Sequence, residues 1–63
     1  MEGTVKFFNE IKGFGFISGS DEQDYFVHKS NLLPGVRLTD GAEVIFDPVE
    51  GDRGMKATNV SLV

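Results

Sequence analysis

The chain has 63 residues, no cysteine, no tryptophan and a formal charge of -4, from 6 basic and 10 acidic side chains. That length holds one small domain, over residues 1–63, and is too short for most enzymes; disulfides and thiolate metal sites are excluded, and the single histidine, His28, cannot form a histidine cluster. With 40% hydrophobic and 25% charged residues the chain is expected to fold, no apolar run nears the roughly 18 residues of a membrane span, and Met1-Glu2-Gly3-Thr4 lacks a signal peptide's pattern, so a cytoplasmic protein is expected.

In chain order, Glu2 to Asn9 carries Val5, Phe7 and Phe8, residue types that suit a pleated surface, and reads as a first strand. Asn9-Glu10-Ile11-Lys12-Gly13 is a turn and Phe14 to Ser18 a second strand, together a hairpin. Gly19 to Asp24 is a polar, acidic loop, followed by a third strand at Tyr25-Phe26-Val27-His28. Lys29 to Gly41 loses all period: Pro34-Gly35 breaks any regular element, and the segment reads as a long connection with one helical turn. Ala42 to Val49 alternates, with Val44 and Phe46 on one face and Glu43 and Asp47 on the other; Pro48 marks an edge or a bulge. After a turn at Glu50 to Gly54, Met55 to Val63 places Thr58, Val60 and Leu62 at alternate positions. Five short strands with a long connection after the third predict an all-β fold, a five-stranded antiparallel barrel whose closure removes exposed edges.

Of seven aromatic residues, six lie in the first 26: Phe7, Phe8, Phe14, Phe16, Tyr25 and Phe26. Alternation puts Phe14 and Phe16 on one face of the second strand against Gly15 and Ile17 on the other, and pairs Phe26 with His28 opposite Tyr25 and Val27. Phenylalanine is usually buried, so a core built from Phe14, Phe16 and Phe26 is the ordinary alternative. That phase, however, would expose Ile17, Tyr25 and Val27, so one apolar set is outside either way. Val5, Ile17, Val27, Val44, Phe46 and Val60 already fill so narrow an interior, and adding three more rings would overfill it. Phe14, Phe16, Phe26 and His28 are therefore expected outside, as a binding face, and the Tyr25 hydroxyl is expected near a barrel end where it can find an acceptor.

Unpaired bases stack on aromatic rings at about 1–3 kcal/mol each, with little sequence preference because every base has a π face. Basic residues fringe the rings: Lys6 beside Phe7, Lys12 before Phe14, Lys29 after His28, and Arg53 and Lys56 at the last turn. Any one of them alone would be an ordinary solvated charge; their coincidence with the aromatic stripe points to phosphates. Catalysis finds no support, since no glycine-flanked serine, metal cluster or histidine pair is present, and Gly13-Phe14-Gly15-Phe16 lacks the spacing and the lysine-serine ending of a phosphate-binding loop. No cofactor and no small-molecule substrate are expected.

Lys12-Gly13-Phe14-Gly15-Phe16-Ile17 and Tyr25-Phe26-Val27-His28 resemble the two ribonucleoprotein motifs of bacterial-type cold shock proteins, five-stranded OB-fold barrels that bind single-stranded DNA and RNA. The likeness extends over nearly the whole chain, through Glu2-Gly3, Val5-Lys6 and Phe8-Asn9 at the start and Val49 to Gly54 with Ala57-Thr58-Asn59-Val60 near the end. It implies that Phe7, Phe8, Phe14, Phe16, Phe26 and His28 stack on bases, and that Lys6, Lys12, Asp24 and Arg53 contact phosphates or base edges. It also implies an RNA chaperone tied to growth at low temperature or to control of transcription and translation. A stacking platform does not need the 2′-hydroxyl, so RNA and DNA both fit.

Three departures from the family accompany the match. Phe7 stands where the family usually has tryptophan, Lys29 where it usually has phenylalanine, and the long connection is shorter and lacks an aromatic. Two missing stacking positions, at about 1–3 kcal/mol each, would lower affinity by one to several orders of magnitude, with Lys29 recovering part of it through a phosphate. The expected protein is thus a monomeric single-strand binder of low sequence specificity; the alternative is an OB-fold module that docks a protein through the same face. Residues 1–19 hold two bases and two acids, whereas residues 20–63 hold four bases and eight acids, so the whole excess of -4 lies outside the aromatic hairpin. Over a Debye length of about 8 Å the local lysines dominate that face.

Overall fold

The computed structural model describes residues 1–52 and 54–63; Arg53 lies outside the described residues. Five strands form, β1 at Glu2–Asn9, β2 at Phe14–Gly19, β3 at Asp24–His28, β4 at Glu43–Gly51 and β5 at Gly54–Leu62, with one 3-10 turn at Lys29–Asn31 opening the long connection. They close into a barrel in the order β1-β2-β3-β5-β4, with β4 returning to β1. This is the OB-fold type of barrel expected from strand count and motif order.

One part of the expectation is corrected: the barrel is not antiparallel throughout. β3 and β5 run parallel, with Phe26 opposite Lys56, and a further parallel bridge joins Leu32 to Val60. The reason is parity. Direction cannot alternate all the way round a ring of five strands, so closure leaves one parallel seam, and the other four neighbour pairs are antiparallel.

All six residues assigned to the interior are buried: Val5, Ile17, Val27, Val44, Phe46 and Val60. Tyr25, Leu38 and Ala57 join them. Tyr25 packs its ring 5.0 Å from Phe46, and its hydroxyl donates a hydrogen bond outward to Asp21 Oδ2, in the loop at the barrel end, as its phase required. Leu38 comes from the aperiodic connection and plugs the core from a segment with no regular structure.

Two bulges displace the simple alternation. In β1, Val5 is opposite Ile17 but Phe7 is opposite Phe16, so Lys6 is an extra residue. In β5, Asp47 faces Thr58 while Ile45 faces Ser61, which leaves two β5 residues opposite Phe46. Asn59 accommodates the extra residue at φ 50, a left-handed conformation that asparagine tolerates, and its Nδ2 donates to Asp47 Oδ2 at 3.0 Å. The expected alternation of Thr58, Val60 and Leu62 is therefore overturned: the buried positions of β5 are Ala57 and Val60, Thr58 is half-buried, and Leu62 is half exposed. Pro48 pairs with Ala57, beyond the short stretch of β4 that reaches β1, and so occupies the edge position its missing N–H favours.

Candidate nucleic-acid interface

The bulge at Lys6 organises the outer face. It leaves Val5 inside, turns both Lys6 and Phe7 outward, and sets Phe7 beside Phe16. Phe16 in turn faces Phe26 across β2 and β3, and Phe26 faces Lys56 across the parallel seam. One row thus crosses four strands: Phe7, Phe16, Phe26, Lys56. The next level of β2 and β3 holds Phe14 opposite His28. Ring centroids are 5.8 Å apart for Phe7 and Phe16, 5.7 Å for Phe16 and Phe26, and 5.9 Å for Phe14 and Phe26, so the four rings form one connected platform. Phe7 is 43% and Phe26 37% exposed. Such exposure, on strands whose inner faces carry buried Val5 and Val27, marks a surface for an apolar flat ligand.

Phe8 stands apart. It is opposite buried Gly15, packs against the core cluster, and belongs to the inward phase that the β1 bulge creates. The structure therefore does not bring it into the row with the other expected stacking residues.

His28 caps the 3-10 turn: its Nδ1 accepts from the Ser30 backbone N–H at 3.1 Å and lies 2.9 Å from Ser30 Oγ. With Nδ1 occupied as an acceptor, the neutral imidazole carries its proton on Nε2, where it is available as a donor beside Phe14. Ser30 escaped the sequence reading; the signal that could have found it is the hydroxyl two residues after a histidine at a strand end, a common local capping arrangement.

The lysines fall into three places. Lys6 Nζ is 3.0 Å from Asp24 Oδ1, an exposed pair flanking the row at one side. At the far end, beyond Phe14 and His28, the turn carrying Lys12 is held by Asn9, whose Oδ1 accepts from Lys12 N at 2.9 Å and whose carbonyl accepts from Gly13 N at 2.7 Å. Gly13 has φ +79, and the stem of Lys29 runs over it so closely that a Cβ there would meet Lys29 Cδ at 2.9 Å. Lys29 N also donates to Gly13 O at 2.8 Å, so Lys29 is fixed against the same turn that presents Lys12. Lys56 is the third, at the seam. Arg53, expected at the same fringe, is the position outside the described residues.

Between the row and the β4–β5 hairpin lies a groove of about 640 Å³, floored by Phe16 and Phe26 and walled by Asp24, Asp52, Met55 and Lys56. Asp52 and Met55 were not singled out from the sequence; only the closure of β5 against β3 brings them beside the rings. A second hollow, of about 320 Å³ and lined by Glu2, Ser18, Ser20 and Glu43 among others, has no aromatic wall. Among the described residues no three His, Asp or Glu side chains are grouped to hold a metal, and no helix is long and apolar enough to cross a membrane.

A closed five-stranded barrel with connected rings on its outer face and cations at their margins defines a nucleic-acid-binding protein of the OB-fold class. The sequence profile of the "Cold-shock" DNA-binding domain matches residues 1–63. The chain is 53% identical over 60 residues to "Cold shock protein 2" of Lactiplantibacillus plantarum, covering 92% of this chain and 91% of that one. It is 52% identical over 61 residues to "Cold shock protein CspA" of Staphylococcus saprophyticus and to that of Staphylococcus aureus, each covering 94% of this chain and 92% of the relative. The chain belongs to the cold-shock DNA-binding domain family.

Proposed function

We propose that this protein binds single-stranded RNA and DNA with low sequence preference and acts as an RNA chaperone in cold adaptation, in the cytoplasm, as a monomer of one domain over residues 1–63. Bases stack on Phe7, Phe16, Phe26 and Phe14, with His28 donating from Nε2, while Lys6, Lys12, Lys29, Arg53 and Lys56 neutralise phosphates. Phe8 supports the platform from beneath. There is no catalytic step and no cofactor.

The observation that carries this reading is the unbroken contact from Phe7 through Phe16 and Phe26 to Phe14 on one outer face. Stacking contributes about 1–3 kcal/mol per base, similar to the mean of about 1.4 kcal/mol that a DNA base-pair step contributes to a duplex. Binding of that size shifts marginal secondary structure toward the open strand without trapping it. The acidic remainder of the chain weakens long-range attraction and shortens residence, which suits a chaperone that must let go.

Calorimetric titration of oligouridine and oligothymidine at low salt tests the reading, the absence of tryptophan making fluorescence a poor probe. Saturable binding in the micromolar to sub-millimolar range is the expected result. A flat titration with both strands would overturn it.

A further inference from the structure

We propose that Ile11, at the tip of the β1–β2 turn, is a docking point for the end of a duplex that flanks the bound single strand, so that the protein seats at the junction between unpaired and paired nucleic acid. This rests on the single-strand reading above and adds a second ligand element, the outer face of a terminal base pair, beyond the end of the platform.

Ile11 is 96% exposed, the most of any large hydrophobic side chain among the described residues, and it has no place in the core cluster. An isoleucine left in water does not help to hold the fold. Nor is it carried on a loose loop. Lys12 N donates to Asn9 Oδ1 at 2.9 Å and Gly13 N to Asn9 O at 2.7 Å, which closes the turn from within. Two other segments brace it from outside: Lys29 N donates to Gly13 O at 2.8 Å, and Arg37 Nη2, in the long connection, lies 3.2 Å from Glu10 Oε2. A tip held in this way loses little freedom when it binds.

The position of the tip selects the ligand. Phe14 is the ring at this end of the platform, opposite Asn9 and at the first position after the turn, so a strand that leaves Phe14 in this direction meets the turn next. Where that strand enters a duplex, its last base pair presents a flat, apolar outer face that has no stacking partner. Apolar side chains, isoleucine among them, pack against base faces inside bent duplexes, where a base step must first be unstacked; at a terminal pair that cost is absent. The charges agree with this occupant. Lys12, Lys29 and Arg37 stand around the tip against one acid, Glu10, which Arg37 pairs, so the phosphates of both duplex strands meet a net positive margin.

Calorimetry tests this by comparing a short oligouridine with the same oligouridine joined to a stable hairpin, through its 5′ end in one molecule and its 3′ end in the other, at one salt concentration. The intact chain, Ile11→Ser and Ile11→Leu are titrated in parallel. At least one tailed hairpin is expected to bind the intact chain about threefold to tenfold more tightly than the free oligouridine, the gain from burying about half of an isoleucine side chain. Ile11→Ser is expected to lose most of that gain yet bind the free oligouridine as the intact chain does, which also shows that the variant is folded, whereas Ile11→Leu keeps the gain. The hairpin brings extra phosphates as well, so the difference between the variants, rather than the gain itself, reads the contact of Ile11. A gain that Ile11→Ser retains, an equal loss by Ile11→Ser on free and tailed strands, or tailed hairpins that bind no better than the free strand would each overturn the junction site while leaving single-strand binding in place. An intact chain that binds none of these molecules would remove both.

Discussion

Gly15 lies directly under Phe8: a Cβ on Gly15 would stand 2.7 Å from Phe8 Cα and 2.9 Å from Phe8 Cδ1, inside the contact distance of real carbon atoms. The glycine between Phe14 and Phe16 is therefore what lets β1 and β2 close while their outer rings stay in register. Because β1 backbone is the obstacle, a side chain at this position cannot be relieved by a rotamer change.

Gly15→Ala is accordingly expected to lower stability by about 1–3 kcal/mol, as overpacking of a tight interior does. Urea or thermal unfolding reads the change. An unaltered midpoint would show that the two strands are not packed this closely.

Phe16 touches both Phe7 and Phe26, whereas Phe14 touches only Phe26 among the outer rings. Phe16→Ala removes the central ring, and a loss of about 1–3 kcal/mol in oligouridine binding is expected, about fivefold to 150-fold in Kd. The loss should be at least as great as for Phe14→Ala measured in the same buffer. Affinity indifferent to Phe16 would mean the row is not where bases sit.

Lys29 is exposed but fixed along Gly13, next to the turn that carries Lys12. If it meets a phosphate, Lys29→Gln lowers the slope of log affinity against log salt by about 0.7, the single-strand value per contact. Stability should change little, since among the described residues Lys29 makes no ion pair that the substitution would break. A slope that stays the same across a salt series removes Lys29 from the phosphate margin.

The Tyr25 hydroxyl bond holds the Asp21 carboxyl below the usual carboxylate range; partial burial opposes this and the Gln23 N–H adds to it. The same bond, with burial and the Asp21 charge, raises the Tyr25 phenol. A depressed acid stabilises the fold above its unfolded pKa and loses that contribution as pH falls through the folded value; a raised phenol contributes below its unfolded pKa and loses it as pH rises through the folded value. The stability gap between the intact chain and Tyr25→Phe should therefore be widest between about pH 5 and pH 9 and shrink on both sides. Melting temperatures measured from below that range to above it check it, and a gap that fails to shrink on either side would argue that the bond does not form in solution.

Much of this protein could be read without coordinates because strand pattern is a local property. Alternation alone separated Ile17 and Val27 from Phe14, Phe16 and Phe26, and Tyr25 from His28, which settled the core and most of the outer face. Charge counting alone showed that the aromatic hairpin is not acidic. Alternation failed where the pairing partner intervenes. Taken by itself it puts Phe7 on the same side as Val5, and only the extra residue at Lys6, visible as a shift against β2, turns Phe7 outward and Phe8 inward. The bulge at Asn59 likewise replaced an alternating face with Ala57 and Val60, and Leu38 reached the core from a stretch with no period to betray it. The parallel seam follows from closing five strands into a ring, a global condition that no segment carries. It is this seam that sets Lys56 against Phe26 and encloses the groove with Asp52 and Met55. The sequence by itself determined most of the core and the outward phase of Phe14, Phe16 and Phe26, because burial follows the side-chain period; the tertiary structure alone decided the sides taken by Phe7 and Phe8 and which residues meet, because bulges and closure depend on the neighbouring strand.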